Sequence, residues 1–215
     1  MTHTDPVTVR ARLAVAGLMI VTAGACARFV PVHGTTPVPL VETLPLSVGI
    51  YYDEAFLTAS HRAERHRERP WIVQFGEANA ELFDDVFGNM FARSGRIQEM
   101  PGDGRTAAGL DAILEPRIEE YALLTPDDSG LNYYAASIKY RIYLHAPDGT
   151  LIESWPVNAY GKSPVRMFMD KQALRKASML AIRDAAASLA LEFDDQQRVQ
   201  AWLNDKGVTA HATRN

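Results

Sequence analysis

The chain has 215 residues, of which 47% are hydrophobic and 22% are charged, the composition of a globular protein with room for one domain and some appendages. A formal net charge of −4 excludes the general basic surface that attracts nucleic acid or anionic lipid. The single cysteine, Cys26, excludes an internal disulfide bond and a thiolate metal site.

The N-terminus has the pattern of a secretion signal. Residues 1–12 are polar and include Arg10 and Arg12, whereas residues 13–25 are uncharged and mostly apolar. Thirteen helical residues span about 20 Å, which is shorter than the roughly 30 Å hydrocarbon core of a bilayer. The pattern therefore predicts a signal peptide rather than a stable membrane span.

Small residues, Ala23-Gly24-Ala25, directly precede Cys26. This segment resembles the lipobox of bacterial lipoproteins, which implies that residues 1–25 are removed and that the Cys26 thiol is acylated. Lipoboxes usually carry Leu where Ala23 stands, so an ordinary secreted protein cut near Ala25 is an alternative. A buried N-terminal helix is disfavoured because the apolar run has no polar face. Ala27, where lipoproteins of the inner membrane often have Asp, implies sorting to the outer membrane with the domain facing the periplasm.

Residues 26–44 are predicted to form the lipidated cysteine and a tether. They contain Pro31, Pro37 and Pro39 and show neither helical nor alternating periodicity. An extended segment of this length could hold the domain as much as about 55 Å from the membrane. The folded domain is predicted over residues 45–207, followed by a flexible tail at 208–215.

The first half of the domain shows three predicted elements. Alternating apolar residues predict a strand over 46–52, and the apolar run 71–75 predicts a second strand that Gly76 ends. Apolar residues at helical spacing predict a helix over 79–93, with Gly95 as its C-terminal stop.

The second half begins with a strand over 111–123, in which Pro116 predicts an edge position or a bulge. Strict alternation over 134–160, interrupted by a Pro-Asp-Gly turn, predicts a β-hairpin. One face of its first strand is expected to be buried beneath a helix: Ala136, Ile138, Tyr140, Ile142 and Leu144.

An Ala-rich stripe predicts a long packing helix over 170–193, and a short helix over 195–204 should stop at Gly207. The order of elements predicts an α+β fold, with a small mixed or antiparallel sheet and helices packed mainly on one face.

A basic segment lies between the first two strands. Six potential cations fall within nine residues: His61, Arg62, Arg65, His66, Arg67 and Arg69. The two histidines are five residues apart, not the four that place two ligands on one helix face, and the surrounding arginines repel a metal ion. The segment is expected to be an exposed loop, either merely solvated or a binding patch for an anionic partner such as phosphate head groups or an acidic protein.

No motif requires catalysis. Residues 102–107 fit G-x-G-x-x-A but do not follow a buried strand, and the chain contains neither G-x-S-x-G nor S-x-x-K. The paired aspartates, such as Asp84-Asp85, have the spacing of helix-surface or capping charges. We therefore expect a protein that is not an enzyme and that needs no cofactor or metal.

Several short motifs, taken together, resemble a known group of proteins. They are Gly49-Ile-Tyr-Tyr52, Asp111-Ala-Ile-Leu-Glu-Pro116, the Tyr140-Arg-Ile-Tyr-Leu144 hairpin with its Asp148-Gly149 turn, and the Ala-rich helix. Over residues 46–203 the chain is similar to a family of uncharacterised bacterial lipoproteins. It is more distantly similar to periplasmic lipoproteins related to the curli secretion channel and to penicillin-binding-protein activators. The resemblance implies a small α/β sandwich on a lipid tether, acting as an envelope assembly or scaffold factor without a shared catalytic set.

The sequence thus predicts a non-catalytic, lipid-anchored envelope protein that binds or positions a protein partner. One alternative is an auxiliary lipoprotein of a lipid or envelope transport system, which would need an apolar groove between helix and sheet. A less favoured alternative is a periplasmic hydrolase, which would need a cleft of converging polar groups.

Overall fold

The computed structural model describes residues 28–32, 42–64, 69–102, 104–165 and 169–208. Its elements in chain order are β1 (Arg28–Pro31), β2 (Leu44–Tyr51), α1 (Glu54–Leu57), β3 (Ser60–Ala63), β4 (Trp71–Gln74), α2 (Gly76–Met90), β5 (Phe91–Ile97), β6 (Ala112–Leu124), α3 (Pro126–Ser129), β7 (Tyr133–His145), β8 (Leu151–Pro164), α4 (Asp170–Glu192) and α5 (Gln197–Asp205), with a 3-10 turn (Phe193–Asp195) between the last two helices. The predicted α+β class is confirmed.

The strands form two sheets. The larger has the order β5-β2-β6-β7-β8, in which β2 pairs in parallel with β5 and β6 while the remaining pairs are antiparallel. The smaller has the order β1-β4-β3, with β1 parallel and β3 antiparallel to β4. The larger sheet is thus the mixed form of the two that the sequence allowed.

The register of the β7–β8 hairpin is the one predicted. Ile138, Tyr140, Ile142 and Leu144 are at most 1% exposed, and the Tyr140 hydroxyl donates to Asn79 Oδ1 of α2 at 2.6 Å. Lys139 and Arg141 point to the opposite face, as the two-residue period of a strand requires.

Helices α2 and α4 cover one face of the larger sheet. Phe83 of α2 packs edge-on against the Tyr140 ring, with the ring centroids 5.4 Å apart. The α4 backbone approaches β8 so closely at Gly161 that a Cβ placed there would lie 2.0 Å from the Ala177 carbonyl oxygen. This is the close approach that the small side chains of the predicted Ala-rich stripe permit.

Strand β6 is interrupted in the way that Pro116 predicts. Its pairing with β2 ends at Leu114, so beyond that residue β6 has a neighbour only on the β7 side. A bulge between Ile118 and Glu120 then reverses which residues face the helices.

The predicted helix over 79–93 is shifted in the structure. It runs from Gly76 to Met90, and Phe91 begins β5, so Gly95 lies inside a strand and does not stop the helix. Phe91 fits the apolar period of the helix, but parallel pairing with β2 determines its conformation.

The predicted tether is wrong over residues 28–32. Arg28–Pro31 forms β1 along β4, and Val30 and Val32 are fully buried. Proline is tolerated at the end of an edge strand, and Pro31 therefore does not mark a linker here. Residues 26, 27 and 33–41 of the expected tether, and 209–215 of the expected tail, lie outside the described residues.

Within the described residues, no helix is both long enough and apolar enough to cross a membrane.

Candidate functional site

The face of the larger sheet opposite α2 and α4 carries polar and aromatic side chains. We call this the open face and define it by side chains of β6, β7 and β8: Glu115, Arg117, Glu119, Lys139, Arg141, Tyr143, His145, Asn158 and Tyr160. Antiparallel strands commonly bury one face and solvate the other, which is why these residues alternate with the core residues.

Glu115 is the buried centre of the open face. Its carboxylate accepts hydrogen bonds from Arg117 Nε at 2.7 Å and from His145 Nε2 at 3.0 Å, and only 2% of its side chain is exposed. Burial alone would raise the pKa of Glu115, but the hydrogen bonds from His145 and Arg117 outweigh it and lower the pKa below its ordinary value.

The histidine of this cluster contacts the protein through both of its ring nitrogens. His145 Nδ1 lies 3.2 Å from the Gly149 carbonyl oxygen, while Nε2 contacts Glu115. Both ring nitrogens therefore lie against acceptor oxygens of the fold itself.

A second, more exposed cluster adjoins the first. Glu119 accepts a hydrogen bond from Arg141 and lies 3.2 Å from Lys139 Nζ, and these two contacts lower the pKa of Glu119. The Arg117 guanidinium lies 4.9 Å from the centre of the Tyr143 ring, a cation–π distance. Charges of both signs and aromatic rings thus alternate across three strands.

The charged centre yields a pH-dependent prediction. At pH 7, Glu115→Gln should lower the free energy of unfolding by about 2 kcal/mol, because hydrogen bonds to a charged group contribute roughly 1.5–3 kcal/mol. Because the pKa of Glu115 is lowered by folding from 4.5, its ionised form stabilises the fold above that pH, and this contribution is lost as the pH falls through the folded-state pKa. Urea unfolding at pH 7 and along an acid series measures the difference.

Glu119→Gln is the matched control, because its carboxylate is bound by two cations but is not buried. Its free energy of unfolding at pH 7 should be close to that of the wild-type protein. If Glu115→Gln lowers the free energy of unfolding by the same amount from pH 7 down to pH 3, the ionised Glu115 does not have this stabilising role.

Of the six residues of the predicted basic loop, the structure describes three: His61, Arg62 and Arg69. Arg65, His66 and Arg67 lie outside the described residues, as does the predicted lipidation site, Cys26. Arg62 and Arg69 are exposed, and Arg62 donates to Glu64 at 2.5 Å.

The expectation of a fully exposed loop is wrong for its first residues. His61 lies on β3 and packs its ring 5.0 Å from that of Tyr121, and Ala63 is buried. Burial lowers the pKa of His61. The two-residue alternation of a strand places Arg62 outward between these inward neighbours, a pattern that the density of arginines hides.

Sequence reasoning did not single out the Glu115 cluster. A carboxylate in the buried run Ile113-Leu114-Glu115, with Arg117 two residues later on the same face, is the signal that could have found it.

The remaining surface features give little chemistry. A groove of about 370 Å³ lies beside β2 and β5, where Arg93 Nε donates to Ser47 Oγ at 2.8 Å. In the part of the chain that the structure describes, no group of three His, Cys, Asp or Glu side chains is placed to hold a metal ion.

No protein-family model matches the chain, and no curated protein matches it in sequence. Its fold does resemble solved structures. Protein XCC0632 from Xanthomonas campestris, of the family DUF330, is 14% identical with a TM-score of 0.52, over 76% of this chain and 93% of that one. At this level of identity the likeness concerns the fold alone.

Two weaker likenesses are to bacterial lipoproteins. The uncharacterised lipoprotein B of Nitrosomonas europaea is 14% identical with a TM-score of 0.45, over 83% of this chain and all (100%) of that one. The minor lipoprotein of Acinetobacter baumannii is 10% identical with a TM-score of 0.42, over 73% and 94% of the two chains. The structural neighbours are therefore bacterial proteins, two of these three being named as lipoproteins.

Proposed function

We propose that the protein is a non-catalytic envelope lipoprotein, acylated at Cys26 and held at the outer membrane, that binds a protein partner through its open face. In this role it acts as an assembly or scaffold factor in the periplasm. The resemblance to a lipobox supports the anchor, and the exposed part of the open face on β7 and β8 supports the partner.

The open face is the observation on which partner binding rests. Protein interfaces are enriched in Tyr and Arg, and the open face presents Arg141, Tyr143 and a Tyr160 side chain that is 53% exposed. The Tyr160 backbone N–H is fixed by Asp184 Oδ2 at 2.9 Å, so this aromatic group is presented on a rigid strand. Preorganised aromatic and cationic groups bind with a small loss of conformational entropy.

The interior supports this role over lipid transport. An auxiliary protein that carries lipid would need an apolar groove between helix and sheet, but large side chains fill that space. Phe83, Phe87 and Tyr140 are completely buried there. An assembly role is also what the sequence motifs' resemblance to curli-secretion and penicillin-binding-protein-activator lipoproteins implies.

Site-specific crosslinking in cells tests the partner. A photoreactive phenylalanine analogue at Tyr160 should yield a discrete adduct with one envelope protein. The same analogue at Leu191, which is 66% exposed on α4, is the control and should yield none. Lys139→Glu with Arg141→Glu should abolish the Tyr160 adduct, whereas the reversals Lys171→Glu with Lys176→Glu on α4 should leave it. Equal labelling from both positions, or none from Tyr160, would overturn the proposal.

A further inference from the structure

The first described residue lies at a defined end of the smaller sheet. Arg28 pairs with Trp71, and Trp71 pairs with Ala63, so β1 and β4 begin where β3 ends. The Arg28 N–H also donates to the Pro70 carbonyl oxygen at 3.1 Å. The segment joining β3 to β4 therefore leaves from the same end of the sheet as the start of β1.

This end of the smaller sheet adjoins one end of the larger sheet. The Trp71 ring lies 6.0 Å from that of Tyr134 at the start of β7. Since β7 is antiparallel to β6 and β8, its start lies beside the last residues of both. The Val165 N–H, just after β8, donates to the Asn132 carbonyl oxygen, just before β7, at 3.0 Å.

Exposed apolar side chains concentrate at this shared end, which we call the apolar end. They are Phe29, Leu124, Leu131, Val165 and Met169, each between 37% and 52% exposed. They come from three parts of the chain, represented by Phe29, by Leu124 with Leu131, and by Val165 with Met169. Apolar groups gathered from distant parts of a chain mark a contact surface rather than scattered surface residues.

The position of Cys26 in the sequence indicates that the apolar end faces a lipid bilayer. Two residues of extended chain reach at most about 7 Å, so an acyl group on Cys26 must leave the domain beside Arg28. The apolar end is therefore the part of the domain that a lipid anchor would hold against the bilayer.

Charge adds a smaller contribution. Arg28, Arg69 and Lys162 are exposed near this end, and Glu64, Asp127 and Asp128 balance them. The described residues thus give no strong net charge, so apolar contact dominates.

We propose that the apolar end is a membrane-contact surface, with Leu124, Leu131, Val165 and Met169 entering the interfacial layer of the bilayer beside the acyl chains. This inference rests on the proposed lipidation of Cys26. It replaces a domain held about 55 Å away on a tether with one seated on the membrane, its β-strands rising from the surface and its open face accessible from the side.

The test uses the mature lipoprotein reconstituted in vesicles of phosphatidylethanolamine and phosphatidylglycerol. Acylation consumes the single native cysteine, so an introduced cysteine can be labelled alone with a polarity-sensitive fluorophore. Val165→Cys and Leu131→Cys place the label at the apolar end. Leu151→Cys is the matched control, since it is also exposed but lies at the other end of β8, about 40 Å away.

The emission maximum of a label at residue 165 or 131 should shift to the blue. Spin labels on the lipids should quench these labels on the order of threefold more than the label at residue 151. Equal exposure of all three labels to aqueous quencher would overturn the inference. Vesicle flotation separates the two proposals: protein that does not float lacks its anchor, whereas protein that floats with solvent-exposed labels refutes the contact surface alone.

Discussion

Gly161→Ala should destabilise the domain by about 3 kcal/mol, near the upper end of the usual cost of overpacking. A Cβ at this position would lie 2.0 Å from the Ala177 carbonyl oxygen and 2.3 Å from the Ala181 nitrogen. Both are backbone atoms of α4, so no side-chain rotation can relieve the clash and the helix must move away from β8. Thermal unfolding followed by circular dichroism should show a Tm lower by roughly 6–12 °C for a domain of this size.

Gly95→Ala is the matched control, because a Cβ on this residue of β5 would meet no atom within 4 Å. Its Tm should equal that of wild type or rise slightly, since alanine restricts the unfolded chain more than glycine does. Two variants with equal Tm values would mean that α4 does not pack on β8 as described.

Cys26→Ala should release the protein from the membrane into the soluble periplasm. One thiol carries the proposed anchor, and exposed apolar side chains alone give weak, reversible binding. Fractionation of cells should therefore move nearly all of the protein from the membrane pellet to the periplasmic extract.

Ala27→Asp tests sorting without removing the anchor. Lipoproteins with Asp after the cysteine are often retained at the inner membrane, which the lipobox resemblance implies for this variant. It should stay in the membrane pellet but move from outer to inner membrane in a density gradient.

Unchanged sedimentation of Cys26→Ala would show that something other than this cysteine holds the protein.

The elements that the sequence predicts well are the long ones with a clear period. The β7–β8 hairpin and α4 each repeat their pattern over more than ten residues, so local sequence is sufficient to define them. The interruption of β6 could also be predicted from the sequence, because Pro116 restricts strand pairing at a known position.

β1 and β3 were missed because pairing with β4, not a local pattern, forms them, whereas the equally short β4 was predicted. β1 and β3 have four residues each: β1 pairs with β4 from a distant part of the chain, and β3 pairs with β4 across the connection that follows it. β5 was predicted partly as helix, since Phe91 satisfies both periods.

The candidate site also divides into parts that local sequence predicts and parts that depend on tertiary contacts. The resemblance to a lipobox rests on a local pattern of residues, so the sequence alone predicts lipidation at Cys26. The open face was implied by the predicted register of Lys139 and Arg141, but its Glu115 centre depends on contacts between β6 and β7 that only the fold defines. The apolar end likewise gathers residues from three parts of the chain that are separate in sequence.

Mass spectrometry of the mature N-terminus determines whether lipid on a single cysteine anchors the domain. The protein should be purified from membranes in detergent, and its N-terminal peptide should begin at Cys26 with the added mass of a diacylglyceryl group. An unmodified Cys26, or a mature protein that retains residues 1–25, would show that the domain is not anchored through this cysteine.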